Sequence, residues 1–388
     1  MRTRRILSLG NFFASAHFFL IIYVLAPYLA TIMPASSTGL VVSVGALITL
    51  GIFPFVPRLV GRYGPQQLAL VFATLEAIML LWLALSPTPI AAIFLTALAC
   101  AISPLLSYQL DILLEATVKS EQETGRIRTA FLTAGNVALL IAPLLIGLLL
   151  DGGDRYDRIF FIASLSLIPF IVLMLGAKLP RTYVPLAHNI REACLCVMQD
   201  ADLRAIAASM FMLQLFYYLS PFYVPLYLHT VLGIPWSSLG WVFAVVLIPF
   251  VLVEYPAGVL ADKKLGDRTL LFAGFIITGI SFMLVGLVTA NTSILIILLI
   301  LLTSRVGAAL IEAMVEGHFF RRVSEQDANT VTVFRMMRPA GALVAPLIAS
   351  LFLAVGTYQL FFVCMGLIIA IVGVLVAIHV RSSRPVLM

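Results

Sequence analysis

Asp111-Ile112-Leu113-Leu114-Glu115, Ser120-Glu121-Gln122-Glu123 and Ala142-Pro143-Leu144-Leu145 follow one another in the first half of the chain, and the series returns in the second half. Glu312 and Glu316 stand for the first carboxylate pair, Ser324-Glu325-Gln326-Asp327 for the second block, and Ala345-Pro346-Leu347-Ile348 for the third. Upstream of them, Gly61-Arg62-Tyr63-Gly64 has its counterpart in Ala261-Asp262-Lys263-Lys264-Leu265-Gly266. The offsets lie between 201 and 204 residues, so one register relates the two halves. A membrane protein built from two equivalent halves has a natural site between them and a natural way to rock around it.

Composition places those halves in a bilayer. Hydrophobic residues make up 62% of the 388 and charged residues 11%, where a water-soluble chain carries about 25% charged residues. Apolar runs long enough to cross ~30 Å of hydrocarbon as helices recur throughout. They are interrupted by Gly and Pro and lack the alternating polarity of barrel strands. The expected fold is therefore all-α and integral to the membrane: twelve transmembrane helices in two pseudo-symmetric six-helix bundles. The spans read as 6–30, 38–57, 66–86, 90–114, 128–150, 158–177, 206–230, 237–260, 269–289, 294–316, 329–354 and 358–379. This divides the chain into an amino-terminal bundle, 1–177, a linker, 178–205, and a carboxy-terminal bundle, 206–388.

Net charge is +6, but the basic residues sit in short loops on one side of the spans, which argues for a membrane rather than nucleic acid as the partner. With the amino terminus inside, only Arg155 and Arg158 fall outside, so the positive-inside rule puts both termini in the cytoplasm of a bacterial-type inner membrane. Part of the linker, 189–204, reads either as a plain tether or as an amphipathic surface helix. Cys194 and Cys196 have no third or fourth ligand nearby, so no metal site is expected. No Walker loop and no nucleophile–base constellation is present, which excludes ATP hydrolysis within the chain and argues against an enzyme or a bound cofactor.

Gly258-Val259-Leu260-Ala261-Asp262-Lys263-Lys264-Leu265-Gly266-Asp267-Arg268 closes span 8. Together with twelve spans in two halves and a basic middle loop, this segment resembles the loop pattern of the major facilitator superfamily of secondary transporters. The likeness covers the whole chain in architecture; in residue detail it is confined to these loops and the Pro-rich spans. It implies that Asp262 faces the amino-terminal end of a helix in the opposite half and latches one side shut, with Gly258, Lys263 and Gly266 shaping the turn. The first-half copy departs from the pattern: Gly61 stands where the Asp belongs, leaving Arg62 as the remaining charge. Span 5, with Gly135, Ala138, Ala142, Pro143 and Gly147, carries a partial likeness to the antiporter signature of the superfamily, but reads first as close helix packing.

Ionisable residues inside hydrocarbon are costly and mark function. Arg305 lies 11 residues from either end of span 10, ~16 Å deep at 1.5 Å per residue. Glu312 and Glu316 follow at 7 and 11 residues, which at about 100° per residue keeps all three on one stripe. In span 4, Pro104, Tyr108, Asp111 and Glu115 make the equivalent stripe; Gln214 and Tyr218 share a face of span 7, and His17 sits at mid-depth in span 1. The resemblance implies that spans 1, 4, 7 and 10 line a central cavity, where these groups converge. Arg305, His17, Gln214, Tyr218, Tyr108 and Arg338 are then the substrate-binding candidates. Arg305 reads either as an anchor for a negative group or as half of an ion pair with Glu76 or His17.

Glu76, Asp111 and Glu254 are the proton-coupling candidates. Glu115, Arg128, Glu312, Glu316 and Arg335 read as gate charges that break and reform. The functional expectation is a monomeric secondary transporter working by alternating access on a small molecule, coupled to a proton or another ion. Efflux of amphiphilic compounds and transport of a small anion held by Arg305 are the two substrate readings; a non-transporting sensor or scaffold is the reading from another class.

Overall fold

The computed structural model describes residues 2–115, 121–151, 153–177, 179, 190–323 and 328–381. Among them eleven helical segments are long and apolar enough to cross a membrane. In the first half these are span 1 (Arg5–Ala30), span 2 (Ala35–Ile52), span 3 (Pro65–Ala84), span 4 (Pro89–Leu114) and span 6 (Tyr156–Gly176). In the second half they are span 7 (Ala201–Val231), span 8 (Trp236–Leu260), span 9 (Gly266–Val285), span 10 (Ile294–Arg322), span 11 (Thr330–Leu353) and span 12 (Tyr358–Ala377). The twelfth, span 5, is the helix Glu121–Leu149, whose described apolar part is Thr133–Leu149. The linker contributes one short helix, Ile190–Gln199, which packs against span 7 and the start of span 11.

The chain forms two compact units. Unit 1 comprises Met1–Val184 with Leu228–Ala244; unit 2 comprises Pro185–Tyr227 with Val245–Met388. Within each, the helices pair in the same way. Span 1 packs on spans 5 and 6, and span 7 on spans 11 and 12; span 3 packs on spans 4 and 6, and span 9 on spans 10 and 12; span 2 lies on span 4 as span 8 lies on span 10. The internal repeat is thus a repeat of packing. Small residues allow the closest approaches: a Cβ on Gly279 of span 9 would lie 2.6 Å from the carbonyl oxygen of Gly366 in span 12. Outer faces remain apolar, with Ile90 at 83% and Leu148 at 75% exposure, as suits helices whose solvent is lipid.

The repeated loop keeps one backbone feature in both copies. Gly64 (φ 81°, ψ 153°), just before span 3, and Gly266 (φ 73°, ψ 157°), the first residue of span 9, each occupy the left-handed side of φ, a conformation glycine adopts without a Cβ penalty. Prolines set the irregularities within spans. Pro339 has no N–H to give Arg335, and span 11 divides there into Ala328–Arg335 and Met337–Leu353. Pro221 and Pro225 precede a widened turn at Leu226–Val231 in span 7, and span 8 is broken into Trp236–Val245, Ile248–Leu252 and Glu254–Leu260.

Candidate functional site

In unit 2 the polar stripe of span 10 meets side chains of spans 7, 8 and 11. Arg305 is 5% exposed, and its guanidinium lies over the Phe216 ring, 4.9 Å from the centroid, a favourable place for a desolvated cation. Two turns on, the Tyr217 hydroxyl donates to the Glu312 carboxylate. Glu254 of span 8 is half-buried and lies within electrostatic range of Glu312 and Glu316. Glu316 accepts from Arg335 at 2.9 Å and from Arg338 at 3.4 Å, and Arg335 also lies over the Phe320 ring at 5.6 Å. Three carboxylates and a tyrosine from three spans therefore gather along one stripe. Arg338, one of the substrate-binding candidates, is engaged by Glu316, eleven residues beyond Arg305 along span 10. The break before Met337 separates it from Arg335. Gln214 is buried beneath Gly341 of span 11, and Tyr218 is half-buried.

In unit 1 the sequence candidates are distributed more widely. His17 of span 1 and Glu76 of span 3 come together, Nε2 to Oε1 at 3.1 Å, with side chains 2% exposed. Each reads from the sequence as a possible partner for Arg305; the structure pairs them with each other. Tyr108 packs on Phe53 with ring centroids 5.0 Å apart, and Asp111 is exposed at the end of span 4. Arg62 lies over the Tyr63 ring at 5.3 Å. The side chains of Glu115, Arg128 and Asp262 lie outside the described residues; Lys263 is exposed, and a Cβ on Gly258 would meet open space.

A further charge cluster, absent from the sequence reading, ties the ends of spans 7, 9 and 10 in unit 2. His318 is buried, its Nδ1 2.8 Å from Asp267 Oδ2 and its Nε2 3.1 Å from Asp202 Oδ2. Both partners accept when ionised, so the ring bridges them only by donating from both nitrogens. Arg321 donates to Asp267, and Arg322 to Asp200 (3.0 Å) and Asp202 (3.2 Å). The backbone N–H of Arg381, beyond span 12, donates to Asp202 at 2.7 Å. Asp200 also caps span 7, accepting from the backbone N–H of Asp202 and Leu203. Burial works to raise its carboxyl, but those two N–H groups and Arg322 together hold it below the usual carboxylate range.

The loop motif thus contributes Asp267 as its bonded carboxylate. The available signal was the pair of Asp residues opening spans 7 and 9, opposite a histidine two residues beyond Glu316. In the matching first-half register, Asp267 corresponds to Pro65. There the equivalent tie is uncharged: Gln66 Nε2 donates to the carbonyls of Met174 and Ala177 at 2.6 and 2.7 Å. At the opposite end of unit 1, His229 lies 2.8 Å from Asp154 through Nε2 and 2.9 Å from the Ile234 carbonyl through Nδ1, with its ring over Trp236. This polar corner borders a cavity of ≈ 220 Å³. No group of three or more His, Cys, Asp or Glu among the described residues is arranged to hold a metal.

Residues 205–387 match the model of the Major Facilitator Superfamily. The fold of the whole chain is similar to two crystal structures of the nucleoside transporter NupG, one of them a point mutant. Identities are 15% for the mutant and 14% for the other, with TM-scores of 0.76 and 0.75, and each alignment covers 97% of this chain and 98% of that one. A crystal structure of a POT family transporter in complex with 5-aminolevulinic acid is similar at 13% identity and TM-score 0.76, covering 97% of this chain and 95% of that one. No curated protein sequence matches the chain. Residues 205–387 are thus similar to the Major Facilitator Superfamily, and the chain along its length shares the multi-pass membrane fold of these transporter structures.

Proposed function

We propose that the chain is a proton-coupled secondary transporter that moves a small molecule by alternating access, as a monomer, in an inner membrane with both termini in the cytoplasm. The observation that carries this reading is the stripe of Arg305, Glu312 and Glu316 on span 10, joined by Tyr217 and Glu254 from neighbouring spans. Charges are held inside hydrocarbon at a cost, and they are found where a substrate or ion passes. The half-buried aromatics Tyr217 and Tyr218 beside the carboxylates favour an amphiphilic substrate. The depth of Arg305 favours a second reading, a small anion held by its guanidinium.

The test is reconstitution into lipid vesicles with an imposed proton gradient and a panel of uridine, 5-aminolevulinic acid, a sugar phosphate and a lipophilic cationic dye. Uptake or extrusion of a panel member that follows the gradient is expected; wild-type flux indifferent to it sinks proton coupling. Arg305→Ala separates the substrate readings. The anion reading expects loss of sugar-phosphate movement in a folded variant, and the amphiphile reading expects dye movement to persist.

A further inference from the structure

We propose that the His17–Glu76 pair is where unit 1 takes up and releases the coupling proton, an inference that rests on the proton-coupled reading above. His17 stands 12 residues from Arg5 and 13 from Ala30, and Glu76 stands 11 from Pro65 and 8 from Ala84, so both lie near the middle of their spans. At 3.1 Å the two side chains are close, yet they are not aligned for a hydrogen bond: both ring nitrogens of His17 and Oε2 of Glu76 are buried with no hydrogen-bond partner. Buried polar atoms without partners are rare and call for an explanation.

Charge accounting supplies one. The sequence has no Lys or Arg between Arg5 and Arg58 or between Arg62 and Lys119, so nothing else within spans 1 to 4 can balance this carboxylate. On the helices packed against the pair, Cys100 of span 4 lies within electrostatic range of Glu76. The other titratable groups there are Tyr108 and Asp111, further along span 4, Tyr156, Asp157 and Arg158 in the first turn of span 6, and Glu121, Glu123, Arg126 and Arg128 in the first turns of span 5, whose side chains lie outside the described residues. With one proton between them, as imidazole and carboxylic acid or as imidazolium and carboxylate, His17 and Glu76 are together neutral. A second proton leaves a net positive charge at mid-membrane, and removal of the first leaves a negative one. Either state is costly in hydrocarbon. Exchange therefore accompanies a conformation that lets water reach the pair, where the unsatisfied nitrogens and oxygen gain partners. The proton enters from water on one side and leaves to water on the other. No further reactant is required.

The test uses the full-length protein in lipid vesicles. Infrared spectra are taken across a series of pH steps. The carbonyl band of a protonated carboxyl is followed in wild type, Glu76→Gln and His17→Gln, each checked for folding by thermal melting. Wild type is expected to lose, along the series, a band that Glu76→Gln lacks from the start, and His17→Gln is expected to move the step at which it disappears. Identical difference spectra in wild type and Glu76→Gln overturn the proposal. If Glu76→Gln does not fold, an unchanged band in His17→Gln does so. Gradient-driven flux of the panel compounds separates this inference from the one beneath it. Wild-type flux that ignores the gradient removes proton coupling itself. Wild-type flux that follows it is expected to fall at least about tenfold in Glu76→Gln, and an equal response in both overturns the role of the pair alone.

Discussion

His17 and His318 are both buried histidines beside carboxylates, one in each unit, and their surroundings differ in kind. His318 lies at the end of span 10, held through both nitrogens by Asp202 and Asp267, whose charges are shared with Arg321 and Arg322. His17 lies at mid-span with one carboxylate at its edge, and both its nitrogens lack a hydrogen bond. A cluster with every charge matched and three helix ends tied resists any change in its protonation. A pair with open hydrogen-bonding capacity and no spare cation has two neutral arrangements of one proton and a reason to change when water arrives. The contrast separates a fastening from a working part.

The comparison breaks most readily at the fastening. His318→Ala leaves Asp202 and Asp267 facing each other with one partner fewer, and removal of one member of a buried charged group typically costs about 3–5 kcal/mol. Thermal unfolding in detergent should show His318→Ala as the least stable variant of this series. Near-wild-type melting means the cluster is not a fastening.

Asp200→Ala tests the rim of the same cluster. It removes a cap from span 7 and an acceptor from Arg322, for an expected loss of about 1 kcal/mol. Because the folded state depresses the Asp200 carboxyl, its stabilisation is fully present above the ordinary carboxylate range and is lost as pH falls through the folded-state value. Wild type should therefore lose more stability than Asp200→Ala on acidification, and parallel pH curves for the two proteins contradict this.

Glu76→Gln is expected to disturb folding least, by about 0.6 kcal/mol, the scale of single polar contacts between membrane helices. Its effect belongs in the proton response. A melting loss in Glu76→Gln as large as that of His318→Ala would put both histidines in the same structural class.

Much of the fold is legible in the sequence because hydropathy marks each span and the repeat sets the register. Gly64 and Gly266 even share their backbone conformation. The stripe from Arg305 to Glu316 is legible for the same reason: helical periodicity places residues 7 and 11 apart on one face. What escapes are contacts made across long separations without a counterpart in the other half. His318 meets Asp267 and Asp202 across 51 and 116 residues, and comparison of the halves points away from them because Pro65 occupies the register of Asp267. Arg338 illustrates a second limit. In the sequence span 11 reads as one continuous helix, whereas Pro339 breaks it next door and the Arg338 side chain lies beside Glu316. His17 and Glu76 were each visible as polar residues in oily helices, but periodicity on a single helix carries no information about which span lies opposite.

The widened turn of span 7 has a mechanical meaning. It covers Leu226–Val231, and the chain passes from unit 2 into unit 1 between Tyr227 and Leu228. It passes back between Ala244 and Val245, where the first helix of span 8 ends ahead of Ile248. Both crossings fall where the backbone ladder is already irregular, so bending there sacrifices few hydrogen bonds. Spans 7 and 8 are thus interrupted rods rather than continuous ones, and the prolines that look like blemishes in the hydrophobic pattern precede the interruption in span 7.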